Sequence, residues 1–223
     1  MAKLFETLLF WRDSEPRSGP ENMAVDQWLL ESTPEPVLRV YRWAGDWLSL
    51  GYFGRLRDAD ALRRESPGLQ VVRRPTGGGL VDHRRDCTYT LSIPRTHPLA
   101  TLRGAESYRA IHAALAEALR RSGTEVELVT ATPEASSPEC FVSPVQWDLV
   151  DRAGGKVAGA GQRRTRHGLL HQGSVQGAGE AVLGCFAEHL GEQRLPGGVA
   201  LPTGEQLAER AEKFARPAWL ERR

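Results

Sequence analysis

Three consecutive glycines, Gly77 to Gly79, interrupt a β-type pattern in the first half of this chain. Two valines and the pair Arg73 and Arg74 precede the run, and the alternating segment Thr88–Ile93 follows it. This order predicts a hairpin of strand, glycine loop and strand. Because glycine lacks a Cβ, the loop can adopt positive φ angles and bring backbone N–H groups close to a ligand. With the charge of Arg73 and Arg74 beside it, the loop suits a carboxylate, a phosphate or a developing oxyanion.

The same residues are also compatible with an ordinary turn flanked by two solvated arginines. Two well-known nucleotide motifs are excluded. No Gly-Lys-Ser/Thr follows, so the loop is not a P-loop. The glycine spacing and the strand that follows also exclude a dinucleotide-binding fingerprint.

The segment Arg73–Gly79, with His83 shortly after it, closely resembles the signature of the biotin/lipoate protein ligase and transferase superfamily. In that superfamily the motif lines the tunnel that holds the acyl chain. The resemblance extends from Asn22 to Trp219 and implies one catalytic domain over residues 1–223. It assigns substrate binding to Arg73, Arg74, Thr76, Gly77, Gly78, Gly79 and His83.

The composition limits the partners and the compartment. A chain of 223 residues fits one large domain, and its net charge of +1 gives no reason to expect nucleic acid or a membrane as partner. There is no apolar stretch of membrane-spanning length and no signal-peptide pattern at Met1, and three sparse cysteines suggest free thiols in a reducing cytoplasm. Without paired histidines or a CxxC motif, we expect no metal site.

The periodicity predicts an α/β fold with a mainly antiparallel sheet and helices packed on one side, as the superfamily resemblance also implies. We expect Tyr52 and Phe53 to pack in the core or, by the resemblance, to contribute to the acyl pocket. Loops are predicted over Pro94–Leu102, Thr130–Pro138 and Pro196–Pro202. The predicted helices are Gly19–Leu30, Arg57–Glu65, Gly104–Ser122, Glu180–His189 and Thr203–Phe214. The predicted strands are Leu4–Arg12, Val37–Trp43, Trp47–Phe53, Val126–Val129, Gln146–Val150, Lys156–Arg164 and Leu169–Val175.

Lys156 is a second candidate for the chemistry. Lysine is rare in this chain, and Lys156 enters a glycine-rich strand, although a solvated charge at a hairpin is the alternative. Residues 155–162 resemble the superfamily's Gly-Arg/Lys-Lys-Ile/Val-Xaa-Gly-Ser-Ala-Gln segment, whose lysine faces the acyl carbonyl or, in the ligases, a phosphate. The resemblance makes Lys156 catalytic and Gly159 substrate-binding. Ala160 and Gly161 replace the usual Ser-Ala, so a serine hydrogen bond is not expected there.

Cys140 is the third candidate. A free cysteine is most often a small buried residue, but Cys140 stands in a Pro/Ser-rich segment after Glu139. Residues 138–144 resemble the Ala-Cys-Phe-Xaa-Xaa-Pro-Ser segment of the LipM-type octanoyltransferases, where the cysteine is the nucleophile. The following Trp147–Val150 matches the family's aromatic-Glu-Leu-Val, with Asp148 in place of Glu. Cys87 and Cys185 match no nucleophile position, and we expect them to be buried or partly buried.

The resemblance implies transfer of an octanoyl group from acyl carrier protein to a lysine of a lipoyl-domain protein. The expected acceptors are the glycine-cleavage H protein and the dehydrogenase acyltransferase subunits. No cofactor is expected, because a thioester donor needs no ATP. Three alternatives remain: a lipoate–protein ligase using ATP and Mg²⁺, an amidotransferase between lipoyl-domain proteins, and a non-catalytic acyl-protein-binding domain.

Overall fold

The computed structural model describes residues 3–131, 144–196 and 201–222, with the backbone alone for residues 193–196. The strands are β1 Phe5–Arg12, β2 Val37–Tyr41, β3 Trp47–Leu50, β4 Gln70–Arg73, β5 Leu80–Asp82, β6 Asp86–Pro94, β7 Glu127–Leu128, β8 Leu149–Val150, β9 Lys156–Thr165, β10 Gly168–Gln176 and β11 Gly191–Pro196. The helices are α1 Gly19–Ser32, α2 Asp60–Glu65, α3 Pro98–Thr101, α4 Gly104–Arg121, α5 Glu180–Leu190, α6 Gly204–Ala215 and α7 Pro217–Leu220. No helix in these residues is long and apolar enough to cross a bilayer.

A large sheet has the strand order β11-β1-β2-β6-β10-β9-β8-β7. Both neighbours of β1 run parallel to it, and the other adjacent pairs are antiparallel. The predicted α/β fold with a mainly antiparallel sheet is therefore confirmed. Strand β11 was not predicted, and its last residue, Pro196, had been assigned to a loop. An edge strand tolerates proline because one of its sides has no strand partner.

A second, small sheet has the order β4-β3-β5. Because β3 lies between β4 and β5, the two strands that flank the glycine run are not paired, and the predicted hairpin is wrong. The glycine loop instead passes over the end of β3. There the Gly51 N–H donates to the Gly79 carbonyl and the Tyr52 N–H donates to the Thr76 carbonyl. The alternating segment Thr88–Ile93 belongs to β6 in the large sheet.

Helices cover both faces of the large sheet, rather than one side as predicted. Leu38 and Val40 of β2 lie in the core cluster that includes α4 and α5. Val37 of the same strand packs against Val25 and Leu29 of α1. Since alternate residues of a strand point to opposite faces, α1 lies on the face opposite α4 and α5. This second face also carries the small sheet.

The longer helices are confirmed close to their predicted limits, and two of these helices have capped ends. Gly123 follows α4 with φ of +85°, a conformation that glycine adopts easily. The Thr203 hydroxyl accepts a hydrogen bond from the Gln206 N–H at the start of α6. Ala211 and Phe214 of α6 are buried against α1.

Three predicted limits are wrong for local reasons. The loop predicted over residues 94–102 contains the short helix α3. Strand β3 ends at Leu50, because the Tyr52 N–H is bonded to the glycine loop. Only Leu149–Val150 of the predicted strand Gln146–Val150 is extended in the sheet, because Trp147 has φ of +71°.

A buried polar network fixes α1 against the sheet and the glycine loop. Arg39 is fully buried and forms ion pairs with Asp13 and Asp26, both at 2.7 Å. Gln172 of β10 donates to Asp26 and accepts from the Thr76 hydroxyl, each at 2.7 Å. Removing one member of such a network leaves a buried charge without its partner, at a cost of about 3–5 kcal/mol. The network therefore gives the glycine loop a rigid base.

Candidate active site

A cavity lies where the small sheet faces β9 and β10. One part of its wall is apolar or aromatic and includes Met23, Tyr41, Trp43, Leu80 and Val81. Its polar groups include Ser49, Arg74, His83 and Lys156, together with the backbone of Gly78 and Gly79. An apolar cavity with a few polar groups is the usual form of a small-molecule or acyl-binding site.

Arg74 determines the shape of the glycine loop. Its guanidinium donates to the carbonyls of Gly77 and Gly79 at 3.0 and 2.8 Å, and to the Ser49 carbonyl at 2.8 Å. Gly78, between these two carbonyls, has φ of +90°. A side chain on Gly51 would run into the Gly78 carbonyl, so the loop packs directly on the backbone after β3. Arg74 lines the cavity, while several of its donors are used to hold the loop.

Arg73 points elsewhere, although it was predicted to bind substrate beside Arg74. It is fully buried, and its guanidinium donates to the carbonyls of Gly51, Tyr52, Gly54, Leu220 and Arg222. It is not part of the cavity wall. Adjacent residues of a strand point to opposite faces, so only one of the two arginines can reach the cavity. The geometry favours a structural role for Arg73, joining the turn after β3 to the C-terminal helix α7.

Thr76 and Gly77 form the side of the glycine loop that packs on β9 and β10, and they do not line the cavity. The Thr76 hydroxyl is buried on Gln172. A Cβ on Gly161 of β9 would clash with the Gly77 carbonyl and lie 2.9 Å from the Thr76 hydroxyl oxygen. The glycine that replaces the usual Ala in this segment therefore lets the loop sit directly on β9.

His83 lies in the cavity wall and is held on three sides. Its Nε2 is 2.7 Å from the Ser49 hydroxyl oxygen, and its Nδ1 is 2.7 Å from the Asp86 carboxylate. The indole of Trp43 stacks on the imidazole with a centroid separation of 4.1 Å. Arg74 donates to the same Ser49 hydroxyl at 3.0 Å, so one serine connects the guanidinium with the His83 imidazole.

Lys156 forms a buried ion pair with Asp148, with Nζ 2.8 Å from Oδ2. The lysine side chain is 14% exposed and the aspartate side chain 0%. A Cβ on Gly159 would lie 2.6 Å from the Lys156 ammonium nitrogen, so the lysine occupies the space above this glycine. The alternative of a solvated hairpin charge does not fit this position, because Lys156 lies largely buried in the cavity wall.

Asp148 has further hydrogen bonds that fix its orientation. Its Oδ1 accepts from the Tyr108 hydroxyl at 2.6 Å, and its Oδ2 accepts from the Val145 N–H at 2.9 Å. Burial, and then the Asp148 carboxylate, raise the pKa of Tyr108 well above its usual value, so this hydroxyl stays protonated and donates. The orientation of the Asp148 carboxylate is therefore fixed by groups other than Lys156.

Cys140 and Phe141 lie outside the described residues. Val145, five positions after Cys140, lies in the cavity wall. Cys87 and Cys185 are both partly exposed free thiols, as expected. The Cys87 thiol donates to the Ala178 carbonyl, and burial, followed by the Asp86 and Glu180 carboxylates, raises its pKa. These conditions oppose thiolate formation at Cys87.

The structure thus brings six of the predicted site residues to one cavity and leaves three outside its wall. Four polar residues of the site were not predicted to act in it: Ser49, Asp86, Asp148 and Tyr108. Asp148 had a signal, since it stands where the superfamily carries a carboxylate. Tyr108 had none, because its position in the helix predicted over Gly104–Ser122 is typical of a core residue. Among the described residues, no group of three His, Cys, Asp or Glu side chains is placed to hold a metal ion.

Residues 18–180 match the family model of the lipoyl protein ligase A/B catalytic domain. The chain belongs to this family, which confirms the resemblance seen in the motifs. It is 35% identical to octanoyltransferase LipM of Staphylococcus aureus over 167 residues, which are 69% of this chain and 60% of the relative. It is 37% identical to octanoyltransferase LipM of Carboxydothermus hydrogenoformans over 164 residues, 71% of this chain and 61% of the relative. The chain thus matches about three fifths of these relatives.

Solved structures show the same fold at low sequence identity. A lipoate protein ligase from Thermoplasma acidophilum with bound lipoic acid superposes with a TM-score of 0.71 at 17% identity, covering 97% of this chain and 98% of the other. Lipoate-protein ligase A bound with ATP gives a TM-score of 0.70 at 15% identity, with coverage of 97% and 98%. The predicted ligase-type catalytic fold is therefore confirmed.

Proposed function

We propose that this protein is an octanoyltransferase that moves an octanoyl group from acyl carrier protein to a lysine of a lipoyl-domain protein. The observation that carries the proposal is the identity of 35–37% to octanoyltransferases LipM over about 70% of the chain. The cavity supports it, because an apolar wall and a buried lysine suit an acyl chain with its carbonyl.

The floor of the cavity supports binding of an extended acyl chain. Gly159, Ser174, Thr88 and Tyr41 are cross-strand neighbours on β9, β10, β6 and β2, and all four line the cavity. Three strand spacings of about 4.8 Å give a floor roughly 14 Å long. The carbonyl carbon would lie at the β9 end near Lys156, and the methyl end near Trp43 and Tyr41.

The proposed nucleophile is Cys140, on the motif that it shares with the LipM-type transferases. Five residues span at most about 17 Å, so the position of Val145 in the cavity wall limits how far Cys140 can be from the site. The Cys140 thiolate would attack the thioester carbonyl, and the carrier-protein thiol would leave with a proton. The acceptor lysine amine would then attack the acyl-cysteine, lose its proton and form the amide as the Cys140 thiolate leaves.

Lys156 is proposed to stabilise the oxyanion in both steps, together with backbone N–H groups of the glycine loop. A fixed ammonium in a largely buried site is a strong electrostatic group for a developing negative charge. Because the thioester already carries the activated acyl group, the reaction needs neither ATP nor Mg²⁺. The glycine-cleavage H protein and the dehydrogenase acyltransferase subunits are the proposed acceptors.

The test compares three donors under the same conditions, the third being an octanoylated H protein. The purified protein and a lipoyl domain receive either octanoyl-acyl carrier protein alone or free lipoate or octanoate with ATP and Mg²⁺. We expect amide formation with the carrier protein alone and no ATP–pyrophosphate exchange. Robust exchange and transfer from the free acid would establish the ligase alternative. A protein that binds the octanoylated carrier but transfers nothing would be the non-catalytic domain. Transfer from an octanoylated H protein but not from the carrier protein would establish the amidotransferase.

A further inference from the structure

The turn that leads into Asp148 is strained and is held by several contacts at once. Trp147 is the non-glycine residue with positive φ among the described residues, at +71°. Such a conformation costs about 1–2 kcal/mol for an L-residue, so the surroundings must impose it. The Trp147 N–H donates to the Val129 carbonyl at 2.7 Å, and the Asp148 N–H donates to the Val145 carbonyl at 2.9 Å. This turn immediately precedes Asp148, whose carboxylate pairs with Lys156.

Helix α4 reaches this turn with two residues one helical turn apart. The Nδ1–H of His112 donates to the Trp147 carbonyl at 2.7 Å, since a carbonyl can only accept. The Tyr108 hydroxyl donates to Asp148 and accepts from the Ala160 N–H of β9 at 2.7 Å. Tyr108 thus connects Asp148 with the strand that carries Lys156. Both residues are on the face of α4 toward the sheet, and their rings lie 4.2 Å apart.

We propose that Tyr108 and His112 are positioning residues that place Asp148, and through it the Lys156 ammonium, for acyl transfer. Neither residue lines the cavity, so they act through Asp148 and not on the substrate. The proposal rests on the proposed function for its kinetic test. It also has a test that does not depend on transfer.

The kinetic test uses Tyr108→Phe, which removes one hydroxyl and keeps the ring packing. We expect kcat to fall roughly tenfold, which is about 1.4 kcal/mol in the barrier, with little change in either KM. His112→Leu should act similarly, whereas His112→Asn should recover much of the rate because its amide can donate to the Trp147 carbonyl. Ile111→Val is the matched control, since it trims a neighbouring buried residue of α4 whose side chain has no hydrogen-bonding group.

A double-mutant cycle distinguishes positioning from a general loss of structure. If Tyr108 acts through Lys156, adding Tyr108→Phe to Lys156→Ala should lower the rate little further. If the two losses in rate are additive, Tyr108 contributes through packing alone. The same holds if the loss in rate only follows the loss in melting temperature, as in Ile111→Val.

The second test measures the chemical reactivity of Lys156 itself. The chain has three lysines, Lys3, Lys156 and Lys213, so labelling by a small amine-reactive ester can be followed by peptide mass spectrometry with two internal references. Tyr108→Phe should speed the labelling of Lys156 several-fold relative to Lys3, because a loosened Asp148 holds the ammonium less firmly. Unchanged labelling together with parental kcat would overturn the proposal. If the parent protein shows no transfer activity but Tyr108→Phe still speeds the labelling of Lys156, the proposed function is refuted and the positioning role stands.

Discussion

Gly159→Ala is the most informative single substitution, because it moves the Lys156 ammonium without removing it. The added Cβ would lie 2.6 Å from Nζ and 3.1 Å from Asp148 Oδ1. An ordinary contact needs about 3.5 Å or more, so Nζ must shift by roughly 1 Å. A displacement of about 1 Å in a catalytic group can cost about a hundredfold in rate, or about 2.7 kcal/mol in the barrier. We therefore expect kcat to fall by about two orders of magnitude.

The effect on stability should be much smaller. The clash involves the flexible end of a lysine, and Asp148 keeps its hydrogen bonds from Tyr108 and Val145. Loss of one hydrogen bond to a charged group costs about 1.5–3 kcal/mol, and relaxation of the lysine places the expected loss near the lower value. The variant should be folded at the assay temperature, so lost activity would report on the site.

The assay is single-turnover transfer of the octanoyl group to a lipoyl domain, with thermal melting of each variant in parallel. Gly179→Ala is the matched control, because its Cβ would meet nothing within 4 Å. In a Lys156→Ala background, Gly159→Ala should have little further effect on the rate. A Gly159→Ala protein that melts normally and transfers at the parental rate would refute the assigned position of Lys156. A full additional loss in the Lys156→Ala background would show that Gly159 acts on the substrate directly.

The remaining predictions concern Lys156, Arg73 and His112. Lys156→Ala should lower the rate of single-turnover transfer by roughly two to three orders of magnitude. Lys156→Arg should recover only part of that rate, because a planar fork does not fit above Gly159. Transfer at the parental rate by Lys156→Ala would show that Lys156 takes no part in the reaction. Arg73→Lys should lower the free energy of unfolding by about 2–4 kcal/mol through lost carbonyl contacts, with transfer by the folded fraction nearly unchanged, and a selective rise in KM would instead restore the predicted substrate contact. Burial lowers the pKa of His112 from 6.5 to about 4, so unfolding takes up a proton between these values and the melting temperature should fall as the pH drops through this window. His112→Leu should make that fall shallower, and an identical pH dependence in both proteins would contradict the assignment.

The sequence was sufficient to single out two segments that the structure brings to one cavity, the glycine loop and the segment of Lys156, because their signals are local. Three glycines need a special backbone wherever they occur, and a lone lysine among glycines is conspicuous. The α/β class and the longer helices follow from periodicity in the same way. The structure then places Lys156 and the glycine loop in one cavity, over 70 positions apart in the chain.

The features of the site that could not be predicted from the sequence depend on contacts between distant elements. The difference between Arg73 and Arg74 follows from which face of the small sheet is turned toward β9 and β10, and no local pattern contains that information. Tyr108 has the spacing of a core residue, and only the approach of Asp148, 40 positions later, gives its hydroxyl a role. The predicted hairpin failed for the same reason, since β3 lies between the strands that flank the loop.

Intact mass spectrometry after mixing the protein with octanoyl-acyl carrier protein tests the central claim most directly. The protein should gain the mass of one octanoyl group without ATP, and peptide mapping should place it on Cys140. Addition of a lipoyl domain should then move that mass to the acceptor. Cys87→Ala and Cys185→Ala should acquire the group as the parent does, whereas Cys140→Ala should not. Transfer at the parental rate by Cys140→Ala would contradict the cysteine acyl-enzyme.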